Sequence, residues 1–104
     1  MTKGQEQITS ALSHLSGAAG QASLDADARE RLEGVSGDLQ ALMEAIFVKS
    51  ALCVPFTAAC DRAAKAVAAA AADGGDVGAA ITKLEKAAKT VRDKSTGGGG
   101  AIIT

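Results

Sequence analysis

Aromatic and imidazole side chains are nearly missing from this sequence. Its 104 residues include no tryptophan, no tyrosine, two phenylalanines and one histidine. That histidine, His14, follows Ala11 by three residues, whereas a di-iron helical bundle needs a Glu-x-x-His spacing. No carboxylate or cysteine lies close to it in sequence, so we interpret His14 as a solvated residue at the border of a helix. With no cofactor motif in the chain, we predict a protein without enzymatic activity, catalytic residues or cofactor.

Cysteine is also scarce, and the spacing of the two thiols suits neither a disulfide nor a metal site. Cys53 and Cys60 are seven residues apart, which on one helix separates them by about 10 Å, too far for a disulfide. The Cys-x6-Cys spacing matches no common zinc pattern, so no metal site is expected. We interpret both residues as small buried hydrophobic groups.

Long apolar runs are absent as well. The first ten residues contain no apolar segment after a basic start, and Glu44 and Lys49 interrupt the most apolar part of the chain. We therefore predict no signal peptide and no transmembrane span. The expected product is cytoplasmic as synthesised and can be incorporated into a particle or filament.

The side chains that build a core are few for a chain of this length. Isoleucine, leucine, valine and phenylalanine total 21 of 104 residues, while the net charge is only −1. The low charge argues against disorder, but so thin a core favours association with other subunits. We expect one helical domain over residues 1–96 and a flexible glycine-rich tail with an apolar end over residues 97–104.

Periodic apolar residues predict an all-α protein. The first helix is expected over Gln5–Ala19, and Ser23, Asp25 and Asp27 offer caps for a second. The last helix is expected after Asp76. The second helix has an apolar seam that stays in phase over a long distance: Ala28, Leu32, Val35, Leu39, Leu42, Ile46, Cys53, Phe56, Cys60, Ala63 and Val67.

The most apolar stretch, Leu39–Cys60, is the expected centre of packing. Its apolar side chains point all around a helix, so we predict that it is buried on every side and that another subunit covers part of it. The residues expected to make these contacts are Ile46, Phe47, Leu52, Val54 and Phe56.

Pro55 leaves two architectures open. Because no glycine, asparagine or aspartate flanks it, we favour a helical hairpin or bundle with one long central helix that is kinked at Pro55. The alternative is a tight turn with proline at the start of a new helix, which gives an up-down four-helix bundle.

The uneven distribution of charge and the residues at the C-terminus indicate which partners the protein can bind. Residues 1–76 carry six basic and ten acidic residues, whereas residues 77–104 carry five basic and two acidic residues. The basic residues of the last helix are Lys83, Lys86, Lys89, Arg92 and Lys94. This helix has no aromatic residue to stack on a base, so nucleic acid is not the expected partner. After Gly97–Gly100, Ile102 and Ile103 are predicted to dock on a partner.

These features favour a non-enzymatic, self-associating helical subunit of a larger assembly, of the filament, appendage or virus-particle type. The first alternative is a helical adapter or chaperone that binds another protein's helix. The second is a small metal or redox protein that uses Cys53, Cys60 and His14.

Overall fold

The computed structural model describes residues 1–21 and 24–103, of which residues 96–103 are described by their backbone alone. All regular secondary structure in these ranges is helical, which confirms the predicted all-α class. The elements are α1 (Lys3–Ala19), α2 (Ala26–Leu42), α3 (Ile46–Lys49), a 3₁₀ turn (Ala51–Cys53), α4 (Val54–Asp73) and α5 (Val77–Ile103).

Local capping explains where the first two helices begin. Thr2 and Gln5 form a capping box at the start of α1, in which each side chain bonds the other residue's backbone N–H. Asp25 caps α2 by accepting a 2.7 Å hydrogen bond from the N–H of Ala28. Asp25 is thus the cap among the predicted candidates, while Ser23 lies outside the described residues.

The turn between α4 and α5 is also encoded locally. Gly74 ends α4 with a left-handed backbone, φ +74°, and its N–H bonds the carbonyl of Ala70. Asp76 then accepts a 3.0 Å hydrogen bond from the N–H of Ala79. The start of α5 therefore follows the predicted signal at Asp76, and Gly74 provides a local stop for α4.

The four long helices form a bundle of two layers. The α1–α2 hairpin packs on the α4–α5 hairpin, with α1 against α4 and α2 against α5. The Gln5 side chain reaches the end of α2 and Lys94 reaches the start of α4, so the helices alternate up and down. Their inward faces share one hydrophobic core, which includes Ile8, Leu15, Leu32, Leu39, Val67, Ile81, Leu84 and Val91.

The predicted kinked central helix is wrong. Pro55 starts a new helix as in the alternative, but residues 43–53, and not a tight turn, make the connection. Helix α2 ends at Leu42, and Pro55 lies in the first turn of α4. The missing N–H of proline costs nothing there, because the first N–H groups of a helix have no intrahelical partner. The chain thus forms the up-down four-helix bundle rather than an elongated hairpin.

The C-terminal backbone differs from the predicted flexible tail. Helix α5 continues to Ile103 and includes Gly97–Gly100. Each residue added to an existing helix gains a backbone hydrogen bond, which offsets much of the ~1 kcal/mol that glycine loses relative to alanine. The side chains of Ile102 and Ile103 lie outside the described residues, so their docking stays a prediction.

Within the described ranges, none of the helices has the length and the apolar character that crossing a membrane requires.

Candidate association surface

Residues 43–53, here called the corner, connect the two layers at one end of the bundle. The N–H of Ala45 bonds the carbonyl of Leu42 and closes α2, and α3 then makes a single turn. Ser50 is extended, with φ −91° and ψ 149°, and its hydroxyl oxygen accepts a 3.1 Å hydrogen bond from the N–H of Leu52. Ser50 thereby starts the 3₁₀ turn that leads into Pro55. Ser50 and Pro55 are local sequence signals for the last part of the corner only, the 3₁₀ turn and the start of α4.

Hydrogen bonds from the start of α1 hold the corner in place. The Thr2 hydroxyl donates to the carbonyl of Val48 at 3.3 Å, and the Cys53 thiol donates to the same oxygen at 3.2 Å. The Gln5 amide donates to the carbonyl of Met43 at 3.0 Å. These bonds satisfy carbonyls that a continuous helix would have bonded itself, and they fix the shape of the corner.

Helix α1 makes further close contacts with the corner and with the first turns of α4. Gly4 is buried against Val48 and Cys53, where there is no room for a side chain. The hydroxyl of buried Thr57 donates to the Gln7 side-chain carbonyl. The corner is therefore packed closely against the start of α1.

The corner leaves two large apolar side chains in solvent. Ile46 is 87% exposed and Leu52 is 75% exposed, whereas Val48 and Cys53 are fully buried between them. Within one subunit Ile46 and Leu52 are therefore not buried, and the predicted coverage of these side chains by another subunit stays a prediction. A single helical turn followed by a 3₁₀ turn can direct only some of its side chains inward, and Val48 and Cys53 occupy that space.

The remaining predicted contact residues line the edge of the corner. Phe47, Val54 and Phe56 are half-buried. The rings of Phe47 and Phe56 lie 6.0 Å apart at an interplanar angle of 46°. Lys94 places its Nζ 4.6 Å from the centre of the Phe56 ring, a cation–π contact that ties α5 to the start of α4.

A groove lies beside Ile46, between α2 and α5. Its volume is about 440 Å³, and its walls include Ala41, Leu42 and Ala45 on one side and Arg92 and Ser95 on the other. A second groove of about 410 Å³ runs further along the same two helices, where Gly34 leaves open space.

An ion pair spans this second groove. Arg31 donates to both carboxylate oxygens of Glu85, at 2.6 and 3.3 Å, and this hydrogen bonding raises the pKa of the Arg31 guanidinium. The pair joins α2 to α5, so the charges of these two side chains are neutralised inside the subunit.

The thiols and the histidine do not come together. Cys53 and Cys60 are free and buried in α4 and its approach, while His14 is half-buried on α1. Burial raises the pKa of the Cys60 thiol to about 11. Within residues 1–21 and 24–103, no cluster of three or more histidine, cysteine or acidic residues is arranged to hold a metal ion.

Comparison of the chain with protein-family models, with curated proteins and with solved structures found no match.

Proposed function

We propose that the protein is a non-enzymatic helical subunit that associates with copies of itself through the corner. The observation that carries this proposal is the exposure of Ile46 and Leu52 on a segment that is otherwise anchored by hydrogen bonds. Because the corner is already ordered, a contact there loses little conformational entropy. An ordered apolar surface of this kind is a common feature of protein–protein contacts.

The size of the apolar surface favours an assembly of many copies over an isolated dimer. Full burial of one isoleucine or leucine side chain contributes ~1.5–3 kcal/mol, so two contribute ~3–6 kcal/mol. The loss of translational and rotational freedom, ~4–15 kcal/mol, offsets this gain in a single pair. Repetition of the contact in a larger assembly adds many such weak gains, as a structural subunit requires.

Sedimentation equilibrium over a hundredfold range of concentration tests the proposal. We expect the mass of the wild type to rise with concentration and that of the Ile46→Ser, Leu52→Ser double variant to remain monomeric. Ala72→Ser with Ala79→Ser is the matched control, because both alanines are exposed at the opposite end of the bundle. A wild-type protein that stays monomeric throughout would contradict self-association.

An adapter that binds another protein's helix is the alternative, and the groove beside Ile46 favours it. Helices that dock in grooves insert apolar side chains at helical spacing. In this case the wild type stays monomeric, and an amphipathic helical peptide shifts the resonances of Ala41 and Ile46.

A further inference from the structure

The two layers of the bundle carry opposite charge. The α1–α2 layer, residues 1–42, has three basic and six acidic residues, and the α4–α5 layer, residues 54–95, has seven basic and five acidic ones. Arg31 and Glu85 neutralise each other across the layers. Without this pair, two basic and six acidic residues leave the first layer at −4, and seven basic and four acidic residues leave the second at +3.

Part of the excess charge lies at the outer surfaces of the layers. Exposed acidic side chains on the outer side of α1 and α2, here called the acidic face, are Glu6, Glu30 and Glu33. Asp27 and Asp38 are exposed as well but line grooves between the layers. Exposed basic side chains on α4 and α5, here called the basic face, are Arg62, Lys83, Lys86 and Lys94. Lys65 is also exposed, but it pairs with Asp61 of the same helix at 3.7 Å.

The basic residues of the first layer do little to offset its acidic face. The Arg29 guanidinium donates to the backbone carbonyls of Ala19, Gln21 and Leu24, at 3.3 Å each, in the loop between α1 and α2. Arg31 is held by Glu85. Lys3 is the remaining cation of this layer, so the acidic face keeps most of its charge.

The two faces point away from each other. Because α1 packs on α4 and α2 packs on α5, the acidic face and the basic face lie on opposite sides of the bundle. They cannot neutralise each other within one subunit, but they complement each other between two subunits. Such complementarity steers association and fixes the relative orientation of the partners.

We infer that the partner at these faces is a second copy of this chain, stacked so that the acidic face of one subunit meets the basic face of the next. This inference rests on the proposed self-association and adds the relative orientation of the subunits. The contact joins two different surfaces, so it is heterologous, and each added subunit leaves one acidic and one basic face free. Stacking by side-by-side translation also keeps the corners level, which places the exposed Ile46 and Leu52 of successive subunits along one edge.

Charge reversal on each face gives a sharp test. One variant carries Lys83→Glu and Lys86→Glu, and the other carries Glu30→Lys and Glu33→Lys. Each variant alone places like charges at the reversed positions and at the positions of the other face that meet them, so we expect its association constant to fall at least tenfold. In an equimolar mixture the reversed positions of one variant meet oppositely charged positions of the other, so association recovers to within about threefold of the wild type. Circular dichroism of each variant checks that the fold is retained.

The outcomes separate the inference from the proposed function. A monomeric wild type overturns both. The stacking of acidic on basic faces is wrong if the wild type associates and both reversed variants associate equally well, or if association does not recover in the mixture. In either case self-association stands. If Lys83→Glu with Lys86→Glu abolishes binding of a duplex DNA oligonucleotide and leaves self-association unchanged, the basic face serves nucleic acid instead.

Discussion

Gly4 and Cys53 pack so closely that the structure allows no side chain on Gly4. A β-carbon at this position would overlap both the sulfur of Cys53 and the carbonyl oxygen of Val48. The backbone of α1 therefore approaches the corner at the distance that only glycine permits. This approach brings Thr2 and Gln5 within hydrogen-bonding reach of the corner carbonyls.

Gly4→Ala is expected to destabilise the protein, although alanine is the better helix former. The overlap with backbone atoms of the corner forces α1 to shift, at a cost of ~1–3 kcal/mol. Gly17→Ala is the matched control in the same helix, because no atom lies within 4 Å of its β-carbon position. We expect that variant to be as stable as the wild type or up to ~1 kcal/mol more stable. Urea unfolding of both variants measures the difference, and equal stabilities would contradict the close approach.

Gly74 is required for its backbone conformation and not for space. Its φ of +74° is left-handed, while its β-carbon position has no neighbour within 4 Å. Gly74→Ala should therefore lower the free energy of unfolding by ~1–2 kcal/mol. Gly75→Ala, where the nearest atoms lie at an ordinary 3.6 Å, should leave it nearly unchanged. Thermal unfolding of the two variants distinguishes them, and a larger loss in Gly75→Ala would be the contrary result.

The buried thiol of Cys60 should make stability depend on alkaline pH. Burial raises its pKa from 9.0 to about 11, so the folded state holds the proton more tightly than the unfolded state does. The free energy of unfolding that the protonated thiol contributes is fully present below pH 9. It is lost as the pH rises towards 11, by at most ~2.7 kcal/mol.

Cys60→Ala isolates this effect, because it removes the thiol and leaves every other titratable group in both proteins the same. We expect the stability difference between wild type and variant, measured by urea unfolding, to shrink between pH 8 and pH 11. A difference that stays constant over this interval would show that the thiol is not buried as described.

The parts of the fold that depend on local signals could be predicted from the sequence. Ile8, Leu15, Leu32 and Leu39 are buried as their helical spacing indicates. The stop at Gly74, like the caps at Asp25 and Asp76, needs only a few neighbouring residues to form.

The corner could not be predicted in the same way, since its causes lie far apart in the sequence. The apolar seam stays in phase from Leu42 to Ile46, which favours a continuous helix. The helix ends instead because Gln5 and Thr2, some forty residues earlier, bond the carbonyls of Met43 and Val48. The same break turns Ile46 and Leu52 outward. The apolar pattern named both as contact residues, but it did not indicate that they, and not Val48 and Cys53, are the exposed side chains of the corner.

Two acidic substitutions in the corner should behave differently. Val48 is fully buried, so Val48→Asp places a charge in the core and should cost several kcal/mol. Leu52 is 75% exposed, so Leu52→Asp should keep the helicity and melting temperature of the monomer while it weakens association. Circular dichroism and light scattering on both variants check this, and unfolding of Leu52→Asp would show that its side chain is buried in the subunit.

The most direct test of association through the corner is a methyl NMR spectrum of the isoleucines, recorded at increasing protein concentration. Ile8 and Ile81 are buried in the core and act as internal references, whereas Ile46 is exposed in the corner. We predict that the Ile46 methyl resonance shifts and broadens as the mass rises, while those of Ile8 and Ile81 keep their positions. An Ile46 resonance that does not move while the mass of the protein increases would contradict the account.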